Sequence, residues 1–454
     1  MSKKILRYIG TFAAVLCLFW ALLILTSLIP NGQIKKNLQK SEEFYKSAEA
    51  FSFEQGQKMH TVSDNYADAI LLNILWNIDS KQPVLTSLDT KYCDGGDYGV
   101  NWGLHQALNG EKANCDYSRY WHGSVIFLRP LLLITDVQGI KNIGLAAVLL
   151  LAVCNLLLLL KKKQYFVAVS LTFSLLCIHI WDVRLSLEYL PAFLVSLTMC
   201  LLFLGLEETG DDTLMMLSVV SGVSIAFFDF LTSETLAILL PLILVVLVRW
   251  QDGRLGTFPE NIRWLVRCVC CWGISYVMTF LVKWTAASVA TGENKFHSAI
   301  QSAGVRFAGT SQEENLPLFK QIPYAVFANI STLFGGEGRV DFGKILIGLL
   351  IALLIFGGGY YLLHGKEKQK DVTRTVLVLG AVPYLRYLIL NNHSYLHEFF
   401  TYRAQVVTII ALCAVVWCNR EPQLFRGKTQ SSKAKSSKMQ GTKNASAKKK
   451  GGRR

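Results

Sequence analysis

Ten runs of mostly apolar residues punctuate the chain: Ile9–Ile29, Val137–Leu160, Gln164–Trp181, Leu187–Leu206, Thr213–Leu231, Glu234–Val248, Trp264–Lys283, Gly343–Leu363, Thr375–Leu390 and Ala404–Cys418. A helix that crosses a bilayer needs roughly 20 such residues, fewer when it is tilted or partly buried in protein. The pattern predicts an all-α membrane protein of about ten transmembrane helices. The first run follows a basic start, Met1-Ser-Lys-Lys. It is longer than the apolar stretch of a signal peptide and closes on no small-residue cleavage site, so it reads as a retained first span.

Lys and Arg in the short connections set the orientation. With the N-terminus in the cytosol, the inner segments are Met1–Arg7, Lys161–Lys163, Glu207–Asp212, Arg249–Arg263, His364–Arg374 and the C-terminal tail. All are basic except Glu207–Asp212, and an even span count returns the C-terminus to the cytosol. Two long loops then fall outside, residues 30–136 and 284–342. Each is too long for a simple connector and is expected to carry interfacial helices.

Composition agrees with this division. Hydrophobic residues make up 52%, charged residues 17%, and the mean hydropathy is +0.34. A soluble domain carries about 25% charge. The net charge of +14 is concentrated at one end: residues 419–454 hold 12 Lys or Arg and one acid, +11 of the total. That segment is too poor in apolar residues to fold alone and reads as a disordered cytoplasmic tail near anionic lipid headgroups. It has no interleaved aromatics for base stacking, which argues against nucleic acid as a partner. Residues 1–418 form the membrane unit. Most of the eleven cysteines sit singly in apolar runs. Cys93 and Cys115 both lie in the first outer loop, where they either pair as a disulfide or remain free thiols.

Ionisable groups at membrane depth are costly, so their positions are informative. Asp182, Arg184, Asp229, Glu234, Lys283, Arg386, His393, His397, Glu398 and Arg403 all fall at the outer ends of their spans or in outer turns. The first outer loop adds Ser63-Asp-Asn-Tyr-Ala-Asp, a helix start with Ser63 as its expected cap. Asp64 and Asp68, four residues apart, share a face there. Three readings stay open: a divalent cation, Mg2+ or Mn2+, bound by both acids; one acid acting as a base toward a hydroxyl; or acids that only favour the helix N-terminus. Farther on, Arg119-Tyr-Trp-His-Gly-Ser-Val-Ile-Phe-Leu-Arg-Pro is apolar but short and reads as an interfacial or re-entrant helix. His122 and Arg129 are candidates for holding phosphate oxygens, or else interfacial anchors. The last outer turn, Asn391 to Arg403, gathers His393, His397, Glu398 and Arg403, suited either to a phosphate leaving group or to capping two helices. His393, His397 and Glu398 are not in the HExxH order of a zinc protease.

The segments Tyr120-Trp-His-Gly…Leu-Arg-Pro, Phe227-Phe-Asp-Phe-Leu-Thr and Asn392-His-Ser-Tyr-Leu-His…Phe-Thr-Tyr-Arg resemble a group of bacterial, mostly Gram-positive membrane proteins related to the GT-C class of polytopic glycosyltransferases. The resemblance covers residues 1–418. It implies a transferase that moves a sugar from a polyprenyl-phosphate donor to a cell-surface glycan or lipid acceptor on the extracytoplasmic face of the bacterial plasma membrane. It also implies a base or metal ligand in the first outer loop, which maps onto Asp64 or Asp68. The chain departs from the class in lacking an adjacent acidic pair and the Trp-Trp-Asp signature. In that reading, Asp64 and Asp68 are the catalytic candidates and His122, Arg129, His393, His397 and Arg403 bind the phosphate, with Asp182, Arg184, Asp229 and Glu398 in support. Two other readings are a transporter or flippase for a lipid-linked sugar, and a non-catalytic component of surface-polysaccharide assembly. The first predicts charged groups through the membrane midplane, where this sequence has almost none. The second predicts no need for the outer polar groups.

Overall fold

The computed structural model describes residues 3–308, 317–362 and 367–419; the basic tail expected at 419–454 lies outside the described residues apart from Asn419. The chain is an all-α membrane protein with two minor two-stranded pieces, Phe51–Phe53 paired with Val62–Asp64 and Lys91–Tyr92 paired with Cys115–Asp116. Among the described residues, seven helical stretches are long and apolar enough to cross a membrane: Lys3–Ser27, Val137–Lys161, Leu187–Thr209, Asp211–Phe228, Phe258–Thr291, Gln369–Ile389 and Glu398–Cys418. Three shorter apolar helices, Tyr165–Cys177, Leu236–Gln251 and Phe342–Ile355, occupy the remaining predicted runs.

Two of the short helices have visible causes. The run predicted over Gln164–Trp181 ends as a helix at Cys177 because His179 takes a left-handed conformation, φ 52°, which a regular helix cannot continue through. Helix Leu236–Gln251 is buried at every residue from Leu236 to Val248. It packs against Leu190–Leu206, Val406–Asn419 and Glu367–Ile389. A helix that is apolar all round belongs in the interior, and this one is the hub. By contrast, Lys3–Ser27 and Val137–Lys161 leave Leu18, Leu25, Leu150 and Leu157 exposed. Exposed apolar surface of that extent calls for a lipid environment.

Where they are described, the segments expected to be inner converge at one end of the bundle. Glu207, its side chain fully buried, takes a two-pronged contact from Arg254 at 2.6 and 2.8 Å and lies near Lys162 and Arg249. Arg249 also meets Asp211 at 2.9 Å and Lys4 meets Asp212 at 2.6 Å. Phe258 N–H donates to Asp371 at 3.1 Å, drawing in the connection before Gln369–Ile389. The acidic turn Glu207–Asp212, the one exception to the basic pattern, is therefore the counter-charge for its basic neighbours. Replacing Glu207 with alanine is expected to lower stability by about 2 kcal/mol, the scale of charge-assisted hydrogen bonds lost, read as a lower melting temperature in detergent. An unchanged melt would mean the cluster is held by packing alone.

At the other end the two long loops interlock. Met59 N–H donates to Gly336 O at 3.2 Å, and Lys295 reaches Asp89 and Asp116 at 3.2 and 2.8 Å. Arg386 and Glu234 form a buried two-pronged pair at 2.9 and 3.0 Å. Trp121, in the segment read as interfacial or re-entrant, is fully buried and donates its indole N–H to Thr279 O at 2.9 Å. The expected interfacial helix is there but short, Val125–Leu131.

Candidate active site

Asp64 ends the strand Val62–Asp64 and caps helix Asn65–Trp76, one residue later than the predicted cap Ser63. Its Oδ1 accepts the Ala67 N–H at 2.8 Å. That contact satisfies one of the orphan donors of the first helical turn. Among the described residues Oδ2 takes no hydrogen bond, and Asp64 lines a cavity of about 400 Å3. Burial lifts its carboxyl from the ordinary carboxylate range to about 7, Asp68 adding to the rise while the Ala67 N–H and Lys141 oppose it. Near neutral pH the group is thus divided between acid and base forms, as a general base requires.

The same cavity is lined by His122, His393 and His397 from two further segments. Burial pushes His122 and His397 down to about 3, and His393 well below its usual value. All three are neutral imidazoles at pH 7. His122 donates Nε2–H to Tyr117 O at 3.0 Å, leaving Nδ1 unpartnered; Nδ1 of His393 and of His397 is likewise unpartnered. His122 holds a positive φ of 54°. Gly123 beside it lies so close to Phe227 that a Cβ would overlap the ring and its carbonyl. Backbone strain of this kind gathers at functional positions.

Two guanidinium groups face this cavity that the sequence reading did not single out, Arg119 and Arg306. Arg119 stacks 3.9 Å over Tyr117 and 5.5 Å from Tyr120; Arg306 lies 5.8 Å from Tyr120 and donates to Ser302 O at 3.0 Å. Among the described residues neither has a carboxylate within 4.0 Å. Glu188, half-buried, supplies a second carboxylate to the lining. Arg119 stood only three residues from His122 in a segment already marked by its aromatics. Arg306 on helix Lys295–Ala308 gave no signal in spacing. The wall is completed by aromatic rings, among them Phe51, Tyr66, Tyr92, Tyr120 and Phe230.

The remaining predicted site residues are elsewhere. Asp68 is fully buried: Oδ1 accepts from Ser186 Oγ at 2.8 Å and Leu187 N at 2.7 Å, and Oδ2 from Tyr45 Oη at 2.9 Å and Lys141 Nζ at 2.6 Å. A carboxylate has about four lone-pair positions. With four donors in place, Asp68 has none left for a substrate proton or for a Mg2+ or Mn2+ ion shared with Asp64. Arg129 is not a phosphate fork. It is buried and donates to the carbonyls of Thr26 at 3.3 Å, Ile29 and Leu75, and to Asn31 Oδ1 at 3.0 Å. Those carbonyls lie at the ends of helices Lys3–Ser27 and Asn65–Trp76, where intrahelical partners run out. Arg403 is buried between Tyr189 and Tyr402, 4.7 and 5.1 Å from their rings, and donates to Phe399 O at 3.3 Å.

Of the supporting group, Asp229 folds back onto Thr232 at 2.5 and 3.0 Å, and Arg184 meets Glu54 at 2.9 Å in an exposed pair. Glu398 is buried, 3.9 Å from Arg339. Asp182 pairs with His60. Cys93 and Cys115 are free thiols, directed to Gln106 Oε1 at 3.4 Å and Asp94 Oδ2 at 3.7 Å.

A second cavity, about 1420 Å3, opens among helices Tyr165–Cys177, Leu318–Leu333, Phe342–Leu362, Glu367–Ile389 and Val406–Asn419. Its walls are chiefly apolar, with Lys58, His60, His179, Glu337, Asp341 and Lys344 among the polar members. It is far larger than most small-molecule pockets. No protein-family model, curated protein or solved structure matches the chain.

Proposed function

We propose that the chain is a GT-C-type membrane glycosyltransferase that moves a sugar from a polyprenyl-phosphate donor to a cell-surface glycan or lipid acceptor. In this reading it sits in the bacterial plasma membrane with ten spans, both termini cytosolic, and the Asp64 cavity on the extracytoplasmic side. The observation that carries the reading is the pairing, in one cavity, of the Asp64 carboxyl, held near neutrality, with two guanidinium groups that have no carboxylate within 4.0 Å among the described residues.

The roles follow from charge. Ionised Asp64 takes the proton of an acceptor hydroxyl as its oxygen attacks the anomeric carbon of the donor sugar. The bond from that carbon to the phosphate oxygen breaks, and the electron pair leaves with the lipid phosphate, which gains one negative charge. Arg119 and Arg306 offset that charge inside a partly enclosed cavity, where positioned charge is usually the largest catalytic contribution. The neutral imidazoles of His122, His393 and His397 offer hydrogen bonds without competing for the anion. The aromatic rings suit the apolar faces of sugars. A transporter would want polar groups along a path through the bundle, but its central helix is apolar from Leu236 to Val248.

The test is sugar transfer in proteoliposomes carrying a labelled polyprenyl-phosphate sugar, followed across pH. Asp64 must be ionised to act, so the rate is expected to fall about tenfold per unit as pH drops below about 7. Above that it should be flat. Transport of the lipid-linked sugar without cleavage would replace this reading with the flippase.

A further inference from the structure

Outside the Asp64 cavity, three donor groups meet beside the larger one. His60 belongs to the turn Met59–Thr61, His179 to the break after Tyr165–Cys177, and Asp182 to the turn Ile180–Leu185. His60 Nδ1 is 2.9 Å from Asp182 Oδ2. The His60 and His179 rings stack 3.9 Å apart, inclined by 8°. One ligand atom from each of the three residues can be chosen so that all lie within 4.8 Å of one another.

Two features of His179 are costly as they stand. Its left-handed backbone is uncommon for a residue other than Gly, and its buried Nδ1 has no hydrogen-bond partner. An unsatisfied buried polar atom costs about 1–3 kcal/mol. Two imidazoles and one carboxylate are a donor set of borderline softness, matched to late first-row divalent ions rather than to Mg2+ or Ca2+.

We propose that His60, His179 and Asp182 bind a divalent transition-metal ion of the zinc class, with its remaining coordination open to the large cavity. Tetrahedral zinc spaces its donors by roughly 3.3 Å, so binding closes the widest gap by less than roughly 1.5 Å and turns one of the two stacked rings, because an imidazole nitrogen donates in its ring plane. The His60–Asp182 pair is already short enough. Three protein ligands with an open fourth position is the arrangement of reactive rather than purely structural zinc sites. The inference does not depend on the transferase reading, since none of the three residues lines the Asp64 cavity.

The experiment uses the full chain in detergent, with any histidine tag removed and metals stripped by chelation. Equilibrium dialysis against ZnCl2, read by elemental analysis, is expected to return one ion per chain. CoCl2 should give visible d–d bands of a four- or five-coordinate site with nitrogen ligands. His179→Gln, His60→Gln and Asp182→Asn should each weaken zinc binding at least about tenfold, whereas Asp64→Asn should not. No zinc retained by the unaltered protein overturns the proposal without recourse to any variant. Retention at full affinity in those of the three variants that elute and melt like the parent overturns it as well, by placing the ion elsewhere.

Discussion

Asp64→Asn is expected to leave a folded protein whose sugar transfer is slowed about 100- to 10,000-fold, the range that a positioned general base contributes. The substitution isolates one property. Asparagine retains the side-chain oxygen that accepts from Ala67 N–H, so the cap of helix Asn65–Trp76 is kept. What is lost is the ability to take a proton. The burial that lifts Asp64 to about 7 also fixes the sign of its effect on stability. The folded state holds the Asp64 proton more tightly than the unfolded chain does. The group's favourable contribution is complete below the unfolded value near 3.8 and is lost as pH rises through about 7. Above pH 7 the neutral asparagine escapes that cost and should melt no lower than the parent. The loss should appear in kcat, with KM for the donor little moved, since Arg119 and Arg306 remain in place. Full activity in the variant would remove Asp64 from the chemistry, and with it the transferase reading of this cavity.

How much of this was legible in the sequence depends on the range of the interaction concerned. The ten apolar runs correspond to ten apolar helices because apolar length is a local property. The cap at Asp64 was legible to within one residue for the same reason. The distinction between Asp64 and Asp68 was not. Spacing places both at the start of one helix, but Ser186 and Leu187, which occupy Oδ1 of Asp68, are 118 and 119 residues away. Arg129 shows the same limit. An arginine before a proline in an outer loop looks available for phosphate, and only the fold brings helix-terminal carbonyls around it from residues 26, 29 and 75. The polar groups expected at the outer ends of spans do not share one role. Within that set the sequence could not separate those that satisfy one another, such as Arg386 and Glu234, from those left facing a cavity, such as His393 and His397.

Asp68→Asn is expected to fail in the opposite way, by lost stability rather than lost chemistry. Asp68 is fully buried, and its Lys141 partner is nearly so. An amide at position 68 can still accept from Ser186 and Leu187 through its oxygen. Its NH2 group then faces the Lys141 ammonium, donor against donor, and the ammonium keeps only the Leu185 carbonyl at 3.1 Å. Breaking a buried ion pair by removing one partner costs about 3–5 kcal/mol. That is a large share of the 5–15 kcal/mol typical of a folded domain. The measurements are the yield of folded protein from membranes and the melting temperature in detergent, both of which should drop. Asp68→Asn combined with Lys141→Met supplies the decisive control. With the ammonium gone, the amide NH2 can donate to Tyr45 Oη and no charge is stranded, so the pair should recover at least half of the lost stability. Any transfer lost in the single variant should return with it. If Asp68→Asn instead accumulates and melts like the parent while transfer is abolished, the residue is catalytic, and the division of labour between the two aspartates must be reversed.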